Sequence, residues 1–189
     1  MSLRAAAAWG LALAMLSAAP AIAGKYDPNA LPTIGGTAPA FSLEAFRERG
    51  EDEAQREIIQ LDDQCGPRGG DTTMVLLAFV NNDSANADFS QLTKWQRRYE
   101  RSGLVSIAIS TDRGTAEMGE LVAKAKRPFR VLDDKFAIVA QRYGIDGAPF
   151  TLLLDADCRV LGMADKSASS DADRLQAAID ERAKMARAK

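Results

Sequence analysis

Two stretches of the chain are apolar almost without interruption over the length of a strand: Thr72–Val80 (TTMVLLAFV) and Leu104–Ser110 (LVSIAIS). Neither shows the strict alternation of a half-exposed strand, so both read as strands covered on both faces of a sheet. Phe150–Leu154 and Arg159–Met163 flank the turn-forming Asp155-Ala156-Asp157-Cys158 and read as a hairpin. Between these runs the apolar period lengthens to that of a helix. Phe89, Leu92, Trp95, Gln96 and Tyr99 recur at helical spacing, as do Leu175, Ala178, Ile179, Ala183 and Ala186 within Asp171–Ala186. Glu117–Ala125 predicts a helix stopped by Arg127-Pro128, and Phe136–Tyr143 one closed by Gly144.

Shorter signals fill the remainder. Phe41–Leu43 and Glu57–Leu61 suggest a strand and its return, joined by Phe46–Glu57 (FRERGEDEAQRE), which is too charged to bury and reads as a solvated helical or hairpin excursion. Cys65–Gly70 (CGPRGG) is a turn by composition, and small polar residues at Asn81–Asp88 interrupt the pattern after the first buried strand. Strands alternate with helices before a terminal hairpin. This order predicts an α/β fold: a central mixed sheet with a parallel core and an antiparallel edge pair, with helices on both faces.

The N-terminus departs from this pattern. Met1–Ala23 has a basic start at Arg4, an apolar stretch from Ala5 to Ala19 and the small-x-small triplet Ala21-Ile22-Ala23, the pattern of a secretory signal peptide cleaved after Ala23. A membrane anchor is the alternative, but Gly10 and Pro20 interrupt a run shorter than the roughly 20 residues a spanning helix needs. The expectation is therefore a leader at 1–23, an extended linker rich in Pro, Gly, Asn and Thr at 24–38, and one domain at 39–189. The product would be periplasmic or secreted, with no stable membrane insertion after cleavage.

Charge and cysteine use narrow the chemistry. The formal charge of −2, less the +1 of Arg4, leaves −3 for the mature chain, with both signs mixed, which gives no footprint for nucleic acid. The chain contains no histidine, and that excludes histidine acid–base relays, Ser-His-Asp and Cys-His nucleophiles and the commonest zinc sets. Its two cysteines, Cys65 and Cys158, suggest a single disulfide in an oxidising compartment rather than a metal site. No metal and no cofactor is expected.

GTAPAFSL (Gly36–Leu43), VLLAFV (Val75–Val80), LVSIAISTD (Leu104–Asp112), RPFRVLDD (Arg127–Asp134) and QRYGIDGAPFTLLLDADCRVLG (Gln141–Gly162) together resemble the thioredoxin-like redoxins. The nearest likeness is to the exported thiol–disulfide oxidoreductases of the TlpA and ResA type, and a more distant one is to the AhpC/TSA peroxiredoxins. The resemblance implies a thioredoxin-like (redoxin) domain over 39–189 and a cis-proline at Pro149 beside the active site, an ordinary strand-starting proline being the alternative.

At one place the chain departs from that family. The first buried strand should run into Cys-x-x-Cys at a helix start, where the helix N-terminus favours a thiolate. Asn81-Asn82-Asp83-Ser84-Ala85-Asn86-Ala87 stands there instead, with Ser84 and Ala87 at the two lost cysteine positions. Neither residue can cycle through a disulfide, and a peroxidatic cysteine is missing as well.

What remains at that pole is a polar cluster. One reading makes Asp83 or Ser84 a helix cap. The other keeps a groove of Asn82, Asp83, Ser84, Asn86, Ala148 and Pro149 that holds a protein or extended peptide without reacting with it. Anion binding at Ser84 and a calcium site are lesser alternatives. In the family's topology the strand before the lost site lies antiparallel to Phe150–Leu154. Cys65, preceding the one, and Cys158, following the other, then share the opposite pole and are expected to pair. Two separated thiols, or a divergent catalytic couple using Cys65 and Cys158 with Arg68 and Arg159 as nearby charges, are the alternatives. Trp95, Tyr99, Phe129 and Phe136 are expected in the core, and Asp155 and Asp157 as hairpin-turn residues.

Overall fold

All seven residues of Met74–Val80 (β3) are buried, because β3 is the middle strand of a five-stranded sheet covered on both faces. The computed structural model describes residues 31–47, 57–112, 116–124, 126–165 and 169–188. The leader expected at 1–23, the linker at 24–30 and the excursion at 48–56 lie outside the described residues. The elements in chain order are β1 (Ser42–Glu44), β2 (Ile58–Gln60), β3, α1 (Ala85–Tyr99), β4 (Leu104–Ser110), α2 (Ala116–Ala123), β5 (Arg130–Asp133), α3 (Ile138–Arg142), β6 (Phe150–Asp155), β7 (Val160–Asp165) and α4 (Ser169–Arg187).

The sheet runs β5-β4-β3-β6-β7. β3 pairs in parallel with β4, and β4 with β5, whereas β6 lies antiparallel to β3 and β7 antiparallel to β6. The mixed sheet with a parallel core and terminal hairpin is therefore present. β1 and β2 form a separate antiparallel ribbon. Residues 35–38, the end of the expected linker, run beside the β6–β7 turn: Gly35 N–H donates to the Val160 carbonyl and Ala38 N–H to that of Cys158.

Period-two alternation divides the β3 side chains between two cores. Met74, Leu76, Ala78 and Val80 pack with Phe89 and Leu92 of α1, Met118 and Val122 of α2, and Leu175, Ile179 and Ala183 of α4. Val75, Leu77 and Phe79 pack on the other face with Phe41, Leu61, Val139, Ala140 and Tyr143. Each fully buried Leu, Ile or Phe contributes about 1.5–3 kcal/mol, so these two layers supply most of the drive to fold. Tyr143 ties α3 to the entering chain: its hydroxyl donates to the Pro39 carbonyl at 2.7 Å and its ring packs on Phe79 and Phe41.

The structure departs from the sequence reading in three places. The pattern skipped β5, whose four residues RVLD include only two apolar side chains. The helix expected over Phe136–Tyr143 is shorter, because Asp134 organises a turn ahead of it. Its carbonyl accepts from Ala137 N–H and its buried carboxylate from Ala140 N–H, with Ala137 at φ 54°. That turn leaves Phe136 64% exposed, so it is not a core residue. Trp95 is half-buried, its indole N–H bonded to Gln176 Oε1 at 2.6 Å; Tyr99 and Phe129 are buried as expected.

Candidate functional site

β3 delivers the chain to the pole where α1 begins, and β6 starts from that pole. Phe79 stands opposite Phe150, so the 81–84 loop and the Ala148-Pro149 peptide are neighbours. That peptide bond is cis. Asn81 joins the two segments: its side-chain N–H donates to the Ala148 carbonyl at 3.3 Å, while its side-chain oxygen accepts from Ser84 N–H at 2.9 Å. The Ala85 N–H then bonds the Asn81 main-chain carbonyl. This oxygen-to-third-residue contact is the N-cap interaction. The cap is thus Asn81, not Asp83 or Ser84; Ser84 makes no side-chain capping bond.

The other cluster residues divide. Asn82 is half-buried, and it is held from α2 and the end of β4. Asp112 accepts its main-chain N–H at 2.5 Å, and Glu117 accepts its side-chain N–H at 3.1 Å. Asn82 Oδ1 is buried and has no hydrogen-bond partner among the described residues. Asp83, Asn86 and Ala87 are exposed, and Ser84 is half-buried. Asp112 and Glu117 were not anticipated from sequence. The available signal was the Asp112 carboxylate two residues past the end of a buried parallel strand, which topology brings to the same pole.

Beside Pro149 lies an open groove of about 580 Å³ lined by Leu31, Ile145, Asp146, Ala148, Pro149 and Asp165, among others. Among the described residues a Cβ added at Gly147 would meet nothing within 4 Å, and the Ala148 N–H makes no main-chain hydrogen bond. Open space beside an unused donor at a sheet end is what an approaching extended chain requires.

The sulfur atoms are at the other pole. Cys65 and Cys158 form a disulfide with Cα atoms 5.3 Å apart. Met74 is opposite Asp155 at that end, so six strand rises, about 20 Å, separate the two poles. Cys65 is 0% and Cys158 7% exposed. The two arginines singled out as thiolate-stabilising charges are engaged elsewhere: Arg68 pairs with Asp63 at 3.1 Å and Asp62 at 3.8 Å, and Arg159 donates to the Gly35 carbonyl. Asp155 is a turn residue, accepting the N–H groups of Asp157 and Arg159. No group of three or more potential metal ligands occurs among the described residues, and no helix among them is long and apolar enough to cross a membrane.

No protein-family model matches the chain, and no curated protein matches it. Several solved structures do match. A protein assigned as thiol:disulfide interchange protein DsbE from Chlorobium tepidum superposes with a TM-score of 0.61 at 21% identity, over 78% of this chain and 99% of that one. Mycobacterium tuberculosis AhpC gives 0.60 at 19%, over 80% and 93%. The thioredoxin domain of the thiol-disulfide oxidoreductase BVU-2223 from Bacteroides vulgatus gives 0.57 at 17%, over 76% and 97%. The chain has the thioredoxin-like fold. Fold alone does not carry activity; the site must.

Proposed function

We propose that this chain is an exported thioredoxin-fold protein that binds an extended peptide or protein segment in the groove beside Pro149 and performs no thiol–disulfide exchange there. The observation that carries this reading is the separation of groove from sulfur. The pole with the cis-proline presents Ser84 and Ala87 at the helix start, and both cysteines are buried about 20 Å away. A dithiol catalyst needs an accessible, low-pKa thiolate within reach of its substrate, and a buried disulfide at the far pole does not provide one. Among the described residues nothing fills the space beside Gly147 or takes the Ala148 main-chain donor, which suits the docking of a strand-like ligand. Export rests on the leader-like composition of residues 1–23.

The test is an amide-resolved NMR titration of the oxidised protein with an unfolded, cysteine-free polypeptide. The reading predicts saturable shifts centred on Ile145–Phe150 and Asn81–Ser84, with the disulfide intact throughout. Shifts confined to the opposite pole, or loss of the disulfide on mixing with a reduced peptide, would favour the second reading, an oxidoreductase working through Cys65 and Cys158.

A further inference from the structure

A second cleft opens where the parallel part of the sheet stops short. β4 and β5 pair from Ile107↔Arg130 onward. Continuing that register by two residues sets Val105 opposite Pro128, which has no N–H to donate, so the ladder cannot extend. The vacated bonds are taken by a side chain. Gln96 Nε2 donates to the Leu104 carbonyl at 2.9 Å, and Gln96 Oε1 accepts from Ser106 N–H at 2.8 Å. The carboxamide thus replaces the peptide group that Pro128 cannot supply. Beyond it β4 has no strand neighbour on that side among the described residues, and a cleft of about 490 Å³ remains.

The lining of this cleft is chemically uneven. Gln96 and Ser106 line it, as do the apolar Ile59, Val105 and Phe129. Ser106 is 3% exposed and its Oγ has no hydrogen-bond partner among the described residues, a rare state for a buried hydroxyl. The charged lining residues are Lys126, Arg127 and Arg130, with no carboxylate lining the cleft among the described residues. Arg127 is committed to the Leu121 and Val122 carbonyls and the face of Phe89, and Arg130 is bonded to Glu57 at 2.8 Å. Lys126 is exposed and has no ion-pair partner among the described residues.

We propose that this cleft binds a small organic carboxylate with an apolar body, its head facing Lys126 and the second N–H of the Gln96 carboxamide, and its body against Ile59 and Val105, which lie on one face of the sheet. Both polar groups can donate and so complement an acceptor-only carboxylate. The volume lies within the range of small-molecule sites, which pair apolar walls with a few convergent polar groups. This site is independent of the groove at Pro149.

The experiment is an amide NMR titration of the intact, oxidised chain with octanoate, with acetate, octanamide and inorganic phosphate as comparison ligands, on wild type and on Lys126→Gln. Lys126 is a surface side chain, so its replacement leaves the fold in place. The expected result is saturable shifting of Val105–Ile107 and Lys126–Arg130 by octanoate. Affinity should fall by about tenfold or more in Lys126→Gln, as for loss of one charge-assisted hydrogen bond, and acetate, octanamide and phosphate should each bind more weakly by a similar factor. Binding by octanoate no tighter than acetate or phosphate, indifference to Lys126→Gln, or shifts centred elsewhere would overturn the proposal.

Discussion

Replacing both cysteines with alanine tests the structural role of the disulfide. The bond closes a loop spanning a sequence separation of 93, and in the chain-entropy description closing a loop of that length disfavours the unfolded state by about 4.7 kcal/mol at 25 °C. Ordinary domains are stable by about 5–15 kcal/mol, so the loss would consume a third or more of the total. Cys158 adds a native-state contribution because it sits at φ 59°, where a side chain with a Cβ is strained. Alanine keeps that strain, whereas Cys65→Ala/Cys158→Gly relieves it and should recover up to about 1 kcal/mol. Urea unfolding reports both effects, and the alanine variant should show a larger m-value because its unfolded chain is no longer cross-linked. A loss below about 1 kcal/mol with unchanged m would refute the argument that the bond constrains the unfolded chain.

Three further outcomes follow from named contacts. Gln96→Ala leaves the Leu104 carbonyl and Ser106 N–H unpaired at an open strand edge. It should cost about 1–3 kcal/mol by thermal or urea denaturation and promote edge-to-edge association by light scattering; a neutral result would show that water replaces the carboxamide. Asn81→Asp keeps the capping oxygen but loses the donor to Ala148, whereas Asn81→Ala loses both. Only the alanine variant should show the full capping loss of about 1 kcal/mol, and both should alter peptide affinity at the groove. The third concerns pH. The Tyr99 hydroxyl donates to Asp180 at 2.6 Å; burial, then the bond to Asp180, raises the Tyr99 pKa above 10.0, and the bond from Tyr99 lowers that of Asp180 below 3.8. The raised tyrosine contributes stability that is present below pH 10 and lost as pH climbs through its folded pKa. The depressed carboxylate contributes stability present above about pH 4 and lost as pH falls through its folded pKa. Tyr99→Phe should flatten both arms of the stability–pH profile and cost about 1 kcal/mol at neutral pH, the Asp180 side chain being 37% exposed and its interaction screened by solvent to that extent.

The buried strands were legible because position in a covered sheet favours apolar or small side chains at nearly every residue. β3 and β4 therefore stand out, and so does the hairpin with its Asp-bearing turn. β5 did not, since Arg130 and Asp133 flank only Val131 and Leu132 and a strand of that length leaves no periodicity. Phe136 shows the opposite failure. Its aromatic character suggested burial, but the carbonyl and carboxylate of Asp134 fold a turn that turns it outward, and such local competition by an aspartate is invisible to a hydrophobic pattern. At the candidate site the polar segment after β3 was evident, but the division of labour within it was not. Asn81 acts as cap and cross-link because Ala148 lies beside it, a juxtaposition that only the antiparallel β3–β6 pairing creates. The same pairing puts Cys65 and Cys158 at one end, and there the expectation from topology and the observed bond agree.

The central claim is that the sulfur pair is structural and that the groove works without it. Alkylation and mass spectrometry of the native protein across a series of thiol redox buffers tests it most directly. A buried structural bond should stay closed until potentials below about −300 mV, whereas equilibration near about −200 mV would mean that Cys65 and Cys158 are poised for exchange and would contradict the account.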